Sequence, residues 1–243
     1  HSFCLHHIIL PYAHLTNQKF NSPVAVASTE EISKFQKQAL DGYQMFRGWE
    51  PSIDKYRRTH LDRTANEWRT DDGDTAEVIE RYEALLFNAG LIDFDAMVLL
   101  GLNLVKKYKW IRKALAARFP ILVVDEYQDL GHALHQIVLH LCFEAGMRLL
   151  AVGDPDQSIY DFTGAEPRLL RDLSNRDDVA KVTLKLNYRC GQSIITASEA
   201  ALGEERGYKS GRAEPGEIFF HERANSIEDQ AKYICEELIP DVL

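Results

Sequence analysis

Two segments of this chain end an apolar run on carboxylates and amides: Phe119-Pro-Ile-Leu-Val-Val-Asp-Glu-Tyr-Gln-Asp129 and Leu149-Leu-Ala-Val-Gly-Asp-Pro-Asp-Gln-Ser-Ile-Tyr160. Buried parallel strands read as continuous Val/Ile/Leu runs. Ligands of open α/β sheets sit just beyond the carboxyl ends of such strands. Two such ends side by side could hold a hydrated cation and a phosphate chain. Asp125 has the chemistry to hold Mg²⁺, directly or through water, because that ion prefers oxygen ligands and keeps several waters. Glu126 could orient or deprotonate an attacking water. An acidic surface turn would explain an isolated Asp-Glu pair. It does not explain Gln128 and Asp129, followed after the next apolar run by Gly153-Asp154 and Gln157.

The elements that must position these groups follow from periodicity. Residues 5–20 are apolar and aromatic and read as a helix. Ser28-Thr-Glu-Glu31 has the spacing of a capping box, with Ile32, Phe35, Ala39 and Tyr43 following at helical intervals. A second helix is expected from Asp74 to Gly90, carrying Val78, Tyr82, Leu85 and Leu86. A third is expected over 94–117 with a break near Gly101, so the first 118 residues are essentially helical. Beyond them strand 121–124, helix 133–145, strand 148–152, helix 166–173 and strand 181–186 alternate as in a parallel sheet. A helix at 191–202, a strand at 217–221 and a helix from Ser226 complete the reading.

The 243 residues allow one large domain or two modest ones, and 45% hydrophobic content suffices for a core. No apolar run approaches the ~18 residues of a membrane span. The four cysteines form no Cys-x-x-Cys pair, and free thiols in a reducing cytoplasm are the expectation. A net charge of −9 argues against coating DNA by bulk charge but leaves room for a local basic groove. Residues 43–69 interleave Tyr43, Phe46, Trp49, Tyr56 and Trp68 with Arg47, Arg57, Arg58, Arg63 and Arg69. They read either as a nucleic-acid track or as a solvated helical face. The basic run Lys106, Lys107, Lys109, Arg112, Lys113 and Arg118 reads as a solvated face, and His132 and His135 as surface histidines.

In order and spacing these segments resemble superfamily 1 DNA helicases of the UvrD/Rep/PcrA type. Val123-Val-Asp-Glu-Tyr-Gln-Asp129 looks like their Walker B box, and Val152-Gly-Asp-Pro-Asp-Gln-Ser-Ile-Tyr-Asp-Phe-Thr-Gly-Ala165 like motif III. Leu186-Asn-Tyr-Arg189 looks like the start of motif IV. His1-Ser-Phe-Cys4 and Leu91-Ile-Asp-Phe-Asp-Ala-Met97 match two further segments of the family. The resemblance implies ATP and Mg²⁺ as cofactors and single-stranded and partly duplex DNA as partner. Asp125 would hold the metal and Glu126 would be the catalytic base. Gln157 would sense the γ-phosphate, and Gln128 would couple the nucleotide site to DNA. Tyr188 would stack on adenine, and Arg189 would reach the γ-phosphate. Tyr160 and Phe162 would stack on single-stranded bases, ordinary packing being the alternative for Phe162, and His1 would lie on the DNA side.

The implied fold is α/β: a RecA-like parallel-sheet domain of the P-loop NTPase type, with an all-helical insertion and the beginning of a second RecA-like domain. The first domain would take 1–20 and 91–183, the insertion 21–90, and the second domain 184–243. Thr163 stands where many relatives carry arginine. No Gly-x-x-x-x-Gly-Lys-Ser/Thr occurs, and Gly203-Glu-Glu-Arg-Gly-Tyr-Lys-Ser210 does not substitute for it, since Tyr208 separates glycine from lysine. Motifs V and VI are also missing. The expectation is therefore a fragment, inactive alone, of a cytoplasmic helicase (nucleoid-associated if bacterial). The alternatives are a helicase–nuclease subunit and a non-catalytic DNA-binding or docking protein on a degenerate RecA-like scaffold.

Overall fold

A computed structural model describes residues 1–16, 20, 24–43, 50–158, 165–222 and 226–239. Tyr160, Phe162 and Thr163, and likewise Phe46, Arg47 and Trp49, lie outside the described residues. The chain divides into two compact units, His1–Val179 and Ala180–Leu243.

The first unit opens with a π-helical turn, Cys4–Ile9, continued by α1 (Leu10–Tyr12) and a 3-10 turn, Ala13–Leu15. β1 (Ala25–Val26) leads into α2 (Thr29–Ala39), where the expected capping box is present. Ser28 Oγ accepts the Glu31 amide at 3.3 Å, and the Glu31 carboxylate accepts the Ser28 amide at 2.8 Å. α3 (Glu50–Thr59), α4 (Glu67–Thr70) and α5 (Gly73–Asn88) follow. The cap of α5 is Asp72 rather than Asp74: its carboxylate accepts the Thr75 amide at 3.0 Å. Gly90, with φ +74°, ends the turn that follows.

β2 (Leu91–Ile92) pairs in parallel with β1. α6 (Phe94–Lys107) buries Ala96 through Leu102, Leu104 and Val105, so it is covered on nearly every side and forms the centre of the unit. The break expected near Gly101 lies instead at Tyr108 (φ −113°, ψ 96°), before α7 (Lys109–Arg118). Gly101 lies against the N-terminal turn, where a Cβ would stand 3.4 Å from that of Cys4, an ordinary contact.

β3 (Ile121–Val124), α8 (His132–Leu139), β4 (Arg148–Ala151) and α9 (Arg168–Ser174) complete the first unit. β3 and β4 pair in parallel along their whole length, Ile121 opposite Arg148 and Val124 opposite Ala151. The expectation of strands buried on both faces is corrected. Leu122, Val124, Leu149 and Ala151 pack on the core, but Val123 is 61% and Leu150 55% exposed. Helices cover this two-stranded sheet on one face only among the described residues.

Where it is described, the segment rich in aromatics and arginine is only partly solvated: Arg69 is exposed, while Arg57 and Trp68 are buried. Arg57 is buried, and its guanidinium grips Asp93 through two bonds of 2.6 and 2.8 Å while Nε donates to Glu83 at 2.9 Å. The Asp93 carboxylate also accepts the Tyr82 hydroxyl at 2.8 Å and caps α6 by accepting the Ala96 amide at 2.7 Å. Arg63 bonds Glu83 and lies 3.8 Å over the ring of buried Trp68. Sequence periodicity assigns arginine to the surface, but a guanidinium paired with carboxylates can be buried.

In the second unit β5 (Leu186–Asn187) is much shorter than the expected 181–186 strand. It pairs in parallel with β6 (Lys209–Ser210), flanking α10 (Gln192–Leu202), and α11 (Ile227–Tyr233) closes the unit. The strand expected at 217–221 is not formed. Phe219 and Phe220 are 72% and 93% exposed, no described strand pairs with this stretch, and its end is held by the Tyr233 hydroxyl 2.7 Å from His221 Nδ1.

Candidate active site

The carboxyl ends of β3 and β4 are joined by one continuous chain of hydrogen bonds. Gln128 Nε2 donates to Glu126 Oε2 at 2.8 Å, and Gln128 Oε1 accepts the Asp154 amide at 3.0 Å. The Asp154 carboxylate in turn accepts Gln157 Nε2 at 2.9 Å and the Asp156 amide at 3.1 Å. Glu126, Gln128, Asp154 and Gln157, which lie on two different strand ends, therefore form one assembly. Gln128 is its centre. It is 2% exposed, and its amide is satisfied on both sides by site groups.

Three backbone features hold this geometry. The Tyr127 amide donates to Val152 O at 2.9 Å, tying the turn after β3 to the end of β4. Gly153 permits that approach, because a Cβ there would lie 2.5 Å from Gln128 Oε1 and 2.9 Å from the Tyr127 nitrogen. Glu126 itself is left-handed, φ 48° and ψ 49°, the one non-glycine with positive φ among the described residues. Such a conformation is unfavourable by about 1–2 kcal/mol for an L-residue and marks places where the surroundings impose it.

Asp125 is exposed at the strand end. Its Oδ1 accepts the Glu126 amide at 3.0 Å, and its other oxygen has no partner among the described residues. An exposed oxygen donor of this kind fits a Mg²⁺ ion that completes its shell with water and phosphate oxygens. A closed protein cage is not the alternative: no group of three or more His, Cys, Asp or Glu among the described residues could hold a metal. Asp129 lies beside the acids, with Oδ1 buried and unpaired. Burial, and then the charge of Glu126, push its carboxyl above the ordinary value.

His135 is a site neighbour that sequence reasoning placed on the surface. It is half-buried, and its Nδ1 lies 2.8 Å from the Tyr127 hydroxyl. Burial, followed by the neighbouring His132, lowers its pKa. Only the i, i+8 separation of tyrosine and histidine hinted at this contact, and that is no usable signal in sequence.

Of the remaining sequence-derived candidates, His1 is exposed, with its ring edge-on to Phe94 at 5.2 Å. Tyr188 and Arg189 belong to the second unit. There Asn187 Oδ1 accepts the amides of Arg189 and Cys190 at 2.8 and 2.9 Å, forming a side-chain-braced turn. Tyr188 is 75% exposed on that turn, and the space above Gly211 accommodates its ring.

Residues 1–178 match the family model described as the UvrD/REP helicase N-terminal domain. The chain belongs to the UvrD/REP helicase family. It is 28% identical over 219 residues to ATP-dependent DNA helicase UvrD1 of Mycobacterium tuberculosis, covering 85% of this chain and 26% of that protein. To UvrD2 of the same organism it is 36% identical over 167 residues, 64% of this chain and 24% of the relative. To ATP-dependent DNA helicase PcrA of Leuconostoc citreum it is 32% identical over 168 residues, 67% and 22% respectively. The chain thus spans about a quarter of the length of these relatives. Family membership implies a RecA-like helicase fold, and the described structure is helix-rich with small parallel sheets. No described helix is long and apolar enough to cross a membrane.

Proposed function

We propose that the whole protein is an ATP-dependent DNA helicase that couples hydrolysis to movement on single-stranded DNA and to duplex unwinding. One observation carries the reading: the hydrogen-bond chain Glu126–Gln128–Asp154–Gln157 that joins two strand ends beside an exposed Asp125. In this reading residues 1–20 and 91–183 belong to the first RecA-like domain, 21–90 to its helical insertion, and 184–243 to the start of the second.

Asp125 would hold Mg²⁺, which when bound neutralises charge on the phosphate oxygens. Glu126 accepts the proton of the attacking water, its carboxylate held by the Gln128 amide. Gln157 approaches the γ-phosphate. Because Gln128 bonds both Glu126 and the Asp154 backbone, a shift of the motif around Gln157 is transmitted to the base through one buried amide. Tyr188 and Arg189 serve adenine and the γ-phosphate, an arginine being suited to phosphate by its planar fork. His1, Tyr160 and Phe162 serve DNA. The 243-residue chain by itself is expected to show no appreciable ATP turnover, since no phosphate-cradling glycine loop with its lysine is present in it.

The test is Glu126→Gln in the full-length protein. A positioned base contributes ~10²–10⁴-fold, so DNA-stimulated turnover should fall by at least about 10²-fold with nucleotide affinity retained. Wild-type turnover in that variant would remove Glu126 from the mechanism.

A further inference from the structure

We propose that His135 is a positioning residue for the catalytic carboxylate, acting through Tyr127; the inference rests on the reading of Glu126 as the base. The backbone of Glu126 is left-handed, and no side-chain bond caps the 3-10 turn Tyr127–Asp129 that it begins. An unfavourable conformation of this kind persists only where neighbouring groups leave no alternative. The residue that removes the alternatives is Tyr127.

Tyr127 is fully buried and fastened at both ends. Its amide donates to Val152 O at 2.9 Å, and its hydroxyl meets His135 Nδ1 at 2.8 Å. The first bond fixes the turn to β4 and the second fixes it to α8. Within the turn, the Asp129 amide donates to Glu126 O at 3.0 Å and the Leu130 amide to Tyr127 O at 3.1 Å. Rotating Glu126 back to an ordinary conformation would have to swing the fully buried Tyr127 ring and break its hydroxyl's contact with His135. The imidazole is held in turn: it sits in the second turn of α8, with its amide donating to Gly131 O at 3.1 Å. The Gln128 amide orients the end of the Glu126 side chain, and the tyrosine–histidine pair orients its backbone.

The full-length protein is tested as wild type and as Tyr127→Phe, His135→Leu, the double variant and His135→Asn, with Glu126→Gln as control. Tyr127→Phe keeps the ring and deletes only the hydroxyl, and asparagine places a polar atom where Nδ1 stood. Misplacing a catalytic group by a fraction of an ångström to 1 Å lowers rates up to ~10²-fold. Tyr127→Phe and His135→Leu should therefore each lower kcat by about tenfold or more, with the KM for ATP changed less than about twofold. The double variant should be no slower than the slower single one, and His135→Asn should recover most of the rate. Amide hydrogen exchange of Tyr127 and Asp129 should accelerate in both single variants while amides in α5 and α6 keep their protection.

A kcat unchanged in Tyr127→Phe and His135→Leu, with only melting temperature lowered, would reduce the pair to packing and overturn the proposal. The Glu126→Gln control separates the two readings. If it too leaves turnover intact, the base assignment has failed. If it abolishes turnover while the tyrosine and histidine variants do not, only the present inference has failed. Should the wild-type protein show no turnover, unchanged exchange at Tyr127 and Asp129 would by itself overturn the positioning role.

Discussion

Gly153→Ala should open the site by forcing β4 and the turn after β3 apart. The added Cβ would meet Gln128 Oε1 at 2.5 Å, the Tyr127 nitrogen at 2.9 Å and Leu170 Cδ2 at 3.0 Å. The leucine methyl can rotate away. The Tyr127 nitrogen cannot, because its N–H is bonded to Val152 O, one residue from the substitution. Gly153 is not in the left-handed region, so crowding alone decides the outcome. Overpacking of this kind is unfavourable by about 1–3 kcal/mol, and losing the Gln128–Asp154 bond adds about 1 kcal/mol. At ~2–4 °C per kcal/mol for a chain of this size, the melting temperature should fall by about 4–16 °C. Differential scanning calorimetry on the purified chain measures it. Gly101→Ala is the matched control: its new Cβ stands 3.4 Å from Cys4, an ordinary contact, inside a helix that prefers alanine. Its stability should change by less than about 1 kcal/mol. If Gly153→Ala melts with the wild type, the close approach of the two strand ends does not organise the site.

The buried ion cluster at the N-terminus of α6 supports two further expectations, and the cap of α5 a third. Arg57→Leu leaves the Asp93 carboxylate buried without its bidentate partner and should destabilise by about 3–5 kcal/mol in urea unfolding; a loss under about 1 kcal/mol would contradict the pairing. Burial alone would raise the Asp93 carboxyl, but the Arg57 charge and its hydrogen bonds hold it below the ordinary value. A depressed folded-state pKa means stability that is complete above the unfolded value, ~3.9, and lost as pH falls through the folded one. Urea midpoints should therefore drop below about pH 4, and Asp93→Asn should flatten that drop while lowering stability at neutral pH. Asp72→Ala removes the cap of α5 and should destabilise by about 1 kcal/mol, read as a small fall in the same midpoint.

Much of the site was legible because its elements obey strong local rules. An apolar run ending on Asp125, Glu126 and Gln128 can be recognised without any tertiary information, and so can the run ending on Gly153-Asp154 and Gln157. The central place of Gln128 was less visible. A glutamine after a strand is usually solvated, and only folding shows that its amide spans both strand ends. The left-handed Glu126 is invisible in sequence, since glutamate has no preference for that conformation and the turn is imposed by Tyr127 and β4. Periodicity misjudged Arg57 because it scores guanidinium as polar whatever waits opposite, here Asp93 and Glu83 from elsewhere in the chain. Gly101 was taken for a break when it is a contact point for Cys4, and the real break at Tyr108 carries no glycine or proline to announce it. The apolar stretch at 217–221 satisfied every local requirement of a strand and lacked only a pairing partner.

Crystals of the full-length protein with Mg²⁺ and a non-hydrolysable ATP analogue would address the nucleotide site directly. The account expects the metal within ~2.1 Å of an Asp125 carboxylate oxygen or one water away, with Glu126 facing the γ-phosphate and Gln157 beside it. A triphosphate bound elsewhere, or a metal with no link to Asp125 while Glu126 and Gln157 face solvent, would contradict it.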